Sequence, residues 1–242
     1  MPKYNIGCSN FSDLEWRGYF FPKNMPVNNH LKYYAENFSA VEINSTFYKT
    51  PSLETLRSWY EQTPAYFDFF VKIPKSITHT DKMRDTAPMI NKFIEQIEAG
   101  LKDKLKGFLF LLPPSFYNTD ENQKRLFANI KTDYQKIIEF RNASWWSDDK
   151  LAAKFKKRDL IMSGISLPME NIPDMIVINH PDIIYYKLYG TPKMHSSEYS
   201  KEFLDNLADE IKVLKKDANV IFANINGTAA IDNAIYLQKI LK

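Results

Sequence analysis

The chain has one cysteine in 242 residues. That excludes an internal disulfide and any metal knuckle built from several cysteines, and it fits a reducing compartment. Histidine is also scarce: the four are His30, His79, His180 and His195. Neither HExxH nor a close histidine pair occurs, and a multi-zinc centre would want more histidines. Glycine is missing where a dinucleotide site would need it. The first strand-like run ends in Gly7-Cys8-Ser9-Asn10, with a single glycine, so the phosphate-binding fingerprint is absent. Charge of one sign is not in excess. The net of +3 is too mild by itself to argue for nucleic acid. No apolar run approaches the ~20 residues of a membrane span. Met1-Pro2-Lys3-Tyr4 leads directly into a strand-like segment rather than a signal peptide. A soluble cytoplasmic protein without a membrane partner is expected; its oligomeric state is left open.

What is present is an alternation. Apolar residues make up 44%, enough for a sizeable core. Eight strand-like runs rich in Phe, Ile, Val and Tyr occur at Tyr4–Ser9, Ala40–Phe47, Phe67–Pro74, Phe108–Pro113, Lys136–Arg141, Leu160–Ser166, Ile183–Gly190 and Asn219–Asn226. Helical patterns lie between them at Asn28–Phe38, Leu53–Gln62, Pro88–Lys102, Asn122–Ile130, Asp148–Lys157, Lys201–Lys215 and Ala229–Leu241. Ser52 and Ser200 have the chemistry and position of N-caps. Leu167–Asn179, with Pro168 and Pro173, reads as an irregular loop. Strands alternating with helices imply a parallel sheet. Eight such units imply closure into a single (β/α)8 TIM-barrel domain over residues 1–242, with long βα loops at the C-terminal face.

Several of these runs carry polar residues at alternate positions. Side chains alternate faces along a strand, so in Val41-Glu42-Ile43-Asn44 the polar pair shares one face. Ile138-Glu139-Phe140-Arg141 and Tyr186-Lys187-Leu188-Tyr189 repeat the pattern. In a barrel wrapped by helices the polar face points inward, and ionised groups are seldom buried without a partner or a purpose. Barrel active sites lie at the C-terminal strand ends. Inward-phase candidates there are Ser9, Glu42, Asn44, Lys72, Glu139, Arg141, Lys187, Tyr189, Asn224 and Asn226. Glu42 and Glu139 come from the second and fifth strands, nearly opposite around a barrel. Paired carboxylates are the usual equipment for glycoside hydrolysis or general acid–base chemistry on a sugar. The three cations Lys72, Arg141 and Lys187 favour an anionic group. Glu–Arg and Glu–Lys networks in barrels also occur as purely structural devices.

Aromatics fall in the expected loops: Trp16, Tyr19, Phe20 and Phe21; Phe47 and Tyr48; Phe116 and Tyr117; Trp145 and Trp146. At a pocket rim, Trp16, Tyr48 and Trp145 would stack on a sugar ring or base, whereas loop packing over the barrel mouth is the alternative. His79, just beyond the third strand, is a candidate substrate contact. No resident metal is expected, although Glu42, Glu139 and His79 are a conceivable set for one hard cation. The helix Phe203–Leu214, with alternating acids and lysines, is a solvated face rather than a nucleic-acid stripe.

The segments Gly7-Cys8-Ser9-Asn10-Phe11, Trp16–Pro22 and Val41-Glu42-Ile43-Asn44-Ser45-Thr46-Phe47-Tyr48 resemble the YecE-like family (domain of unknown function 72). So do Thr63-Pro64, Lys72-Ile73-Pro74-Lys75 with Thr78-His79, Pro113-Pro114-Ser115-Phe116, Glu139-Phe140-Arg141 with Trp145, and Asn224 with Asn233-Ala234. The resemblance covers nearly the whole chain and implies a TIM barrel; it implies no particular activity. The family pattern has Gln where this chain has Leu111. It has Arg-x-His-Gly where this chain reads Lys187-Leu188-Tyr189-Gly190, which removes a group able to titrate near neutral pH. Glu42 and Glu139 are therefore the expected proton-transfer residues, with Lys72, Arg141 and Lys187 binding the anion. The expected function is a hydrolase or isomerase acting on a small polar, anionic or sugar-like substrate. A binding or sensing protein using the same pocket is the alternative. A nucleic-acid-processing enzyme has the mild charge against it.

Overall fold

The computed structural model describes residues 2–242. Among the described residues nine parallel strands form one sheet: β1 Tyr4–Cys8, β2 Ala40–Ile43, β3 Asp68–Lys72, β4 Leu105–Leu112, β5 Gln135–Phe140, β6 Leu160–Met162, β7 Gly164–Ser166, β8 Ile183–Leu188 and β9 Asp217–Phe222. Their order is β6-β5-β4-β3-β2-β1-β9-β8-β7. The two strands at the ends of that order are consecutive in the chain and separated only by Ser163. The sheet is thus nearly closed and barrel-like.

The count of nine corrects the expected eight. The run Leu160–Ser166 is interrupted at buried Ser163, whose N–H donates to Ile138 O at 2.8 Å and whose hydroxyl donates to Gly164 O at 2.9 Å. The following loop folds back as a short antiparallel bridge from Ile165 to Met175. A Cβ on Gly164 would stand 2.5 Å from Met175 O, so glycine is what lets that loop lie against the strand.

Seven α-helices among the described residues accompany the strands: α1 His30–Asn37, α2 Leu53–Gln62, α3 Ala87–Leu101, α4 Asp120–Asn129, α5 Leu151–Lys156, α6 Lys201–Leu214 and α7 Ala229–Leu241. Ser52 and Ser200 cap α2 and α6 by accepting from Thr55 N and Phe203 N, both at 3.1 Å, which satisfies orphan donors of the first turn. Leu167–Asn179 carries no helix. No helix among the described residues is long and apolar enough to cross a membrane.

The sheet divides the core in two. Ile6, Val41, Phe69, Phe108, Ile138 and Phe222 join the main core with residues from the helices. Ala40, Phe70, Leu109, Ile137, Ile161, Tyr185 and Ile221 form a separate buried cluster on the opposite side of the strands. Two residues further along, the same faces carry Glu42, Lys72, Leu111, Glu139, Ser163, Lys187 and Ala223. The apolar plug is therefore the floor, and the charged residues stand one layer above it at the C-terminal strand ends.

Candidate functional site

Strand β2 ends at Ile43, earlier than the run Ala40–Phe47 suggested. Asn44 leaves extended geometry (φ −92°, ψ −20°) and Ser45–Phe47 form a single 3₁₀ turn. Thr46 secures that turn by donating to Ile43 O at 3.0 Å and sharing its hydroxyl with Lys72 O at 2.6 Å. The turn carries Phe47 over the end of β3 and leaves Tyr48 at the surface, 82% exposed.

Glu42 is fully buried. Its Oε1 accepts from Lys187 Nζ and from Asn44 Nδ2, the latter at 2.8 Å, and its Oε2 accepts from Tyr185 OH at 2.7 Å. Glu139 is buried as completely. Arg141 donates to its Oε1 through Nε at 2.7 Å and lies 2.7 Å away through a second guanidinium nitrogen. Tyr189 OH lies 2.8 Å and 3.0 Å from its two oxygens. The Arg141 guanidinium also stacks 4.3 Å from the Tyr189 ring centroid, and its remaining nitrogen faces Met169 Sδ at 3.9 Å. Two crossed ion pairs thus occupy the mouth, Glu42–Lys187 and Glu139–Arg141.

The third cation differs. Lys72 has no hydrogen-bond acceptor and no carboxylate partner among the described residues; its ammonium sits over the Phe47 ring at 4.1 Å. Burial, reinforced by the Lys187 charge and opposed by Glu42 and Glu139, brings its pKa down to about 8. Glu139 and the paired cations respond in the opposite way. Burial works against ionised Glu139, but Arg141, Lys187, the Tyr189 hydrogen bond and Lys72 together hold its carboxyl below the usual range. For Lys187, burial is outweighed by Glu42, Tyr189 and Glu139, so its pKa is raised. These mutual effects place both acids and all three cations in one electrostatic cluster.

The route from solvent is on the β1–β2 side. A cleft of about 190 Å³ is lined by Ser9, Asn10, Glu42, Asn44 and Tyr48, among others. Ser9 O anchors Asn44 Nδ2 at 2.8 Å. The opposite side is roofed by an apolar cluster containing Ile165, Leu167, Ile172 and Tyr189, against which Trp146 and Met169 pack. His79 lies in one wide helical turn, Ser76–Thr80, beside the Phe47 ring at 4.9 Å, with Nδ1 2.9 Å from the Thr78 hydroxyl. Burial, then Lys72 and Lys75, push its pKa down to about 4, so the ring is neutral at ordinary pH. The set Glu42, Glu139 and His79 is not gathered: among the described residues no three His, Cys, Asp or Glu converge as metal ligands.

Four expected contacts lie elsewhere. Trp16 and Trp145 are not rim platforms; they are 0% and 1% exposed. Trp16 donates to Gly227 O at 3.0 Å. Trp145 donates to Phe116 O at 2.7 Å and stacks between Phe116 and Phe140. Loop packing claimed both, because an indole with a satisfied N–H buries a large apolar area. Asn224 points away from the mouth: Ile221 and Ala223 take the inward phase of β9 and its continuation, so Asn224 faces Asn233 of α7 at 3.1 Å. Asn226, in the following loop, is exposed. Tyr185 was missed, although its period-two spacing with Lys187 and Tyr189 was a usable signal.

Fold and mouth together define an α/β protein of barrel-like form with a cluster of two acids and three cations inside its C-terminal end. The chain belongs to the family described as protein of unknown function DUF72, whose model matches residues 5–242. It is 22% identical to UPF0759 protein YunF of Bacillus subtilis (strain 168), over 98% of this chain and 94% of that protein. It is 31% identical to UPF0759 protein YecE of Escherichia coli (strain K12), over 36% of this chain and 31% of that one. A crystal structure of a DUF72 family protein from Thermotoga maritima MSB8 superimposes with TM-score 0.87 at 27% identity, covering 99% of each chain. One from Enterococcus faecalis V583 gives 0.82 at 22% identity, covering 100% of this chain and 98% of that one.

Proposed function

We propose that the protein is an enzyme performing acid–base chemistry on a small anionic or sugar-like molecule bound at the barrel mouth. Hydrolysis and isomerisation are the two reaction types that such paired carboxylates serve. The observation that carries the reading is the pairing of charges: two acids pair with two of the three clustered cations and leave Lys72 without a carboxylate partner. An isolated desolvated cation costs folding stability, and such costs are characteristic of functional positions. Glu42, which lines the cleft, is the proton carrier nearest the ligand, and Glu139 is the second. Lys72 replaces Arg141 as the main anion anchor, because the Arg141 fork is already engaged by Glu139. Ser9, Asn44, Tyr48 and His79 surround the ligand. In this reading β6 and β7 are one sixth strand bent at Ser163, and the chain is a single (β/α)8 TIM-barrel domain.

One observation favours a second reading, binding without turnover: the carboxylate oxygens of both glutamates already accept hydrogen bonds. A panel of sugar phosphates and sugar acids followed by NMR separates the two. Conversion by wild type and none by Glu42→Gln supports the enzyme; ligand binding with no conversion supports the sensor.

The anion site has its own test. Phosphate at about ten times its Kd adds roughly 1.4 kcal/mol of stability by mass action, about 3–5 °C for a chain of this size. Phosphate is therefore expected to raise the Tm above that in chloride at equal ionic strength, and Lys72→Met to abolish the difference. Equal responses in wild type and variant mean general salting-out, and the anion site is then abandoned.

A further inference from the structure

We propose that Lys72 is an amine nucleophile that forms an imine with the aldehyde or ketone of a small anionic substrate. The inference rests on the mouth being a substrate site, and it adds the carbonyl to the substrate's chemistry.

The geometry is that of a lysine kept available. Lys72 ends β3 in the same layer as Glu42 and Glu139, yet neither carboxylate binds it. Its ammonium rests on an aromatic face, 4.1 Å from the Phe47 centroid. That contact holds the nitrogen in place without tying its N–H groups to a carboxylate, so loss of one proton exposes the lone pair. The other two cations of the cluster are locked to acids and cannot perform the same reaction. Lysines become nucleophilic near neutral pH when desolvated or when set beside another cation; Lys72 has both conditions, burial first and Lys187 second. Arg141 adds to the effect, while Glu42 and Glu139 oppose it. Neutral His79 adds no positive charge beside it. The pKa of about 8 leaves an appreciable neutral fraction at ordinary pH.

The chemistry balances within the site. The neutral amine lone pair attacks the carbonyl carbon, a C–N bond forms, and the oxygen takes a proton to give a carbinolamine. The nitrogen lone pair then expels that oxygen as water. Counted from the ammonium, two of its three protons leave in the water and one remains on the iminium. The iminium is a sink for the electron pair of a C–H bond at the neighbouring carbon, and the proton released from that bond passes to Glu42.

The test uses glyoxylate, a small anionic aldehyde, with cyanoborohydride to reduce any imine to a stable amine, followed by peptide mapping. Lys72 is expected to label at least about tenfold faster than exposed Lys23 and Lys124 near pH 8, because a lowered pKa raises the neutral fraction. Its labelling rate should level off above about pH 8. Both Lys72→Met and Lys72→Arg should lose the fast adduct, the second while keeping the positive charge. Labelling of Lys72 no faster than Lys23 and Lys124 overturns the proposal, as does total labelling unchanged in Lys72→Met. If phosphate still raises the Tm through Lys72 but no fast adduct forms, the anion site stands and the covalent step falls. If phosphate has no such effect and no adduct forms, both fall.

Discussion

Lys187→Met is expected to destabilise the protein by about 3–5 kcal/mol, the usual cost of removing one partner of a buried pair. That corresponds to a fall in Tm of roughly 10 °C. The variant leaves the Glu42 carboxyl group fully buried and without the ammonium that hydrogen-bonds its Oε1. Asn44 and Tyr185 still donate to it, but two neutral donors do not replace a cation at zero exposure. The double variant Glu42→Met/Lys187→Met removes both charges and should recover about half of the loss. Full recovery is not expected, because Tyr185 OH and Asn44 Nδ2 then lose a buried acceptor, at about 1–3 kcal/mol. Urea unfolding with unchanged slope measures all three proteins. A single-variant loss below about 1 kcal/mol would mean the pair is solvated, contrary to its burial.

Lys72→Met is expected to do the opposite and stabilise the protein at pH 7, by about 2 kcal/mol once partial exposure is discounted. The pH dependence follows from the direction of its shift. The folded-state pKa of about 8 lies below the ordinary value of 10.5, so between those values the unfolded chain holds more protons than the folded one. Stability owed to this residue therefore rises with pH across that window. Below pH 8 the ammonium is charged in both states and its desolvation cost is fully present; above 10.5 the cost is gone. The stability difference between Lys72→Met and wild type should accordingly be largest at pH 7 and shrink toward zero near pH 10.5. A variant less stable than wild type at pH 7 would show that the Phe47 contact and the two acids more than compensate the charge, and Lys72 would then be a structural cation.

Much of this site was legible in the chain. Val41-Glu42-Ile43-Asn44 announced a strand with a polar inner face through nothing more than side-chain alternation. The same rule applied to β5 and β8 selected Glu139, Arg141, Lys187 and Tyr189, which all meet in one cluster. It failed at β9, where polarity was read as pointing inward. Ile221 and Ala223 hold that phase, and Asn224 is a helix contact of the outer layer. For Trp16 and Trp145 the sequence left rim stacking and loop packing both open, since an aromatic in a loop carries no label saying whether it faces solvent or the core. The break at Ser163 had no local signature beyond the neighbouring glycine. It depends on a loop returning to within 2.5 Å of where a Cβ at Gly164 would sit.

The sequence alone determined that two acids and three cations would share the barrel mouth, and hence that one positive charge would be left over. Side-chain alternation along a strand is a local property, and it survives folding in β2, β5 and β8. Which cation is left over was decided only in three dimensions. Glu42 and Lys187 lie 145 residues apart and meet because β2 and β8 place them in one layer across the barrel mouth. Glu139 takes Arg141 from two positions along the same chain segment. With both acids satisfied, Lys72 is left against an aromatic ring. The Glu42–Lys187 pairing depends on a distance of a few ångströms between groups remote in sequence, and only the nearly closed sheet sets that distance.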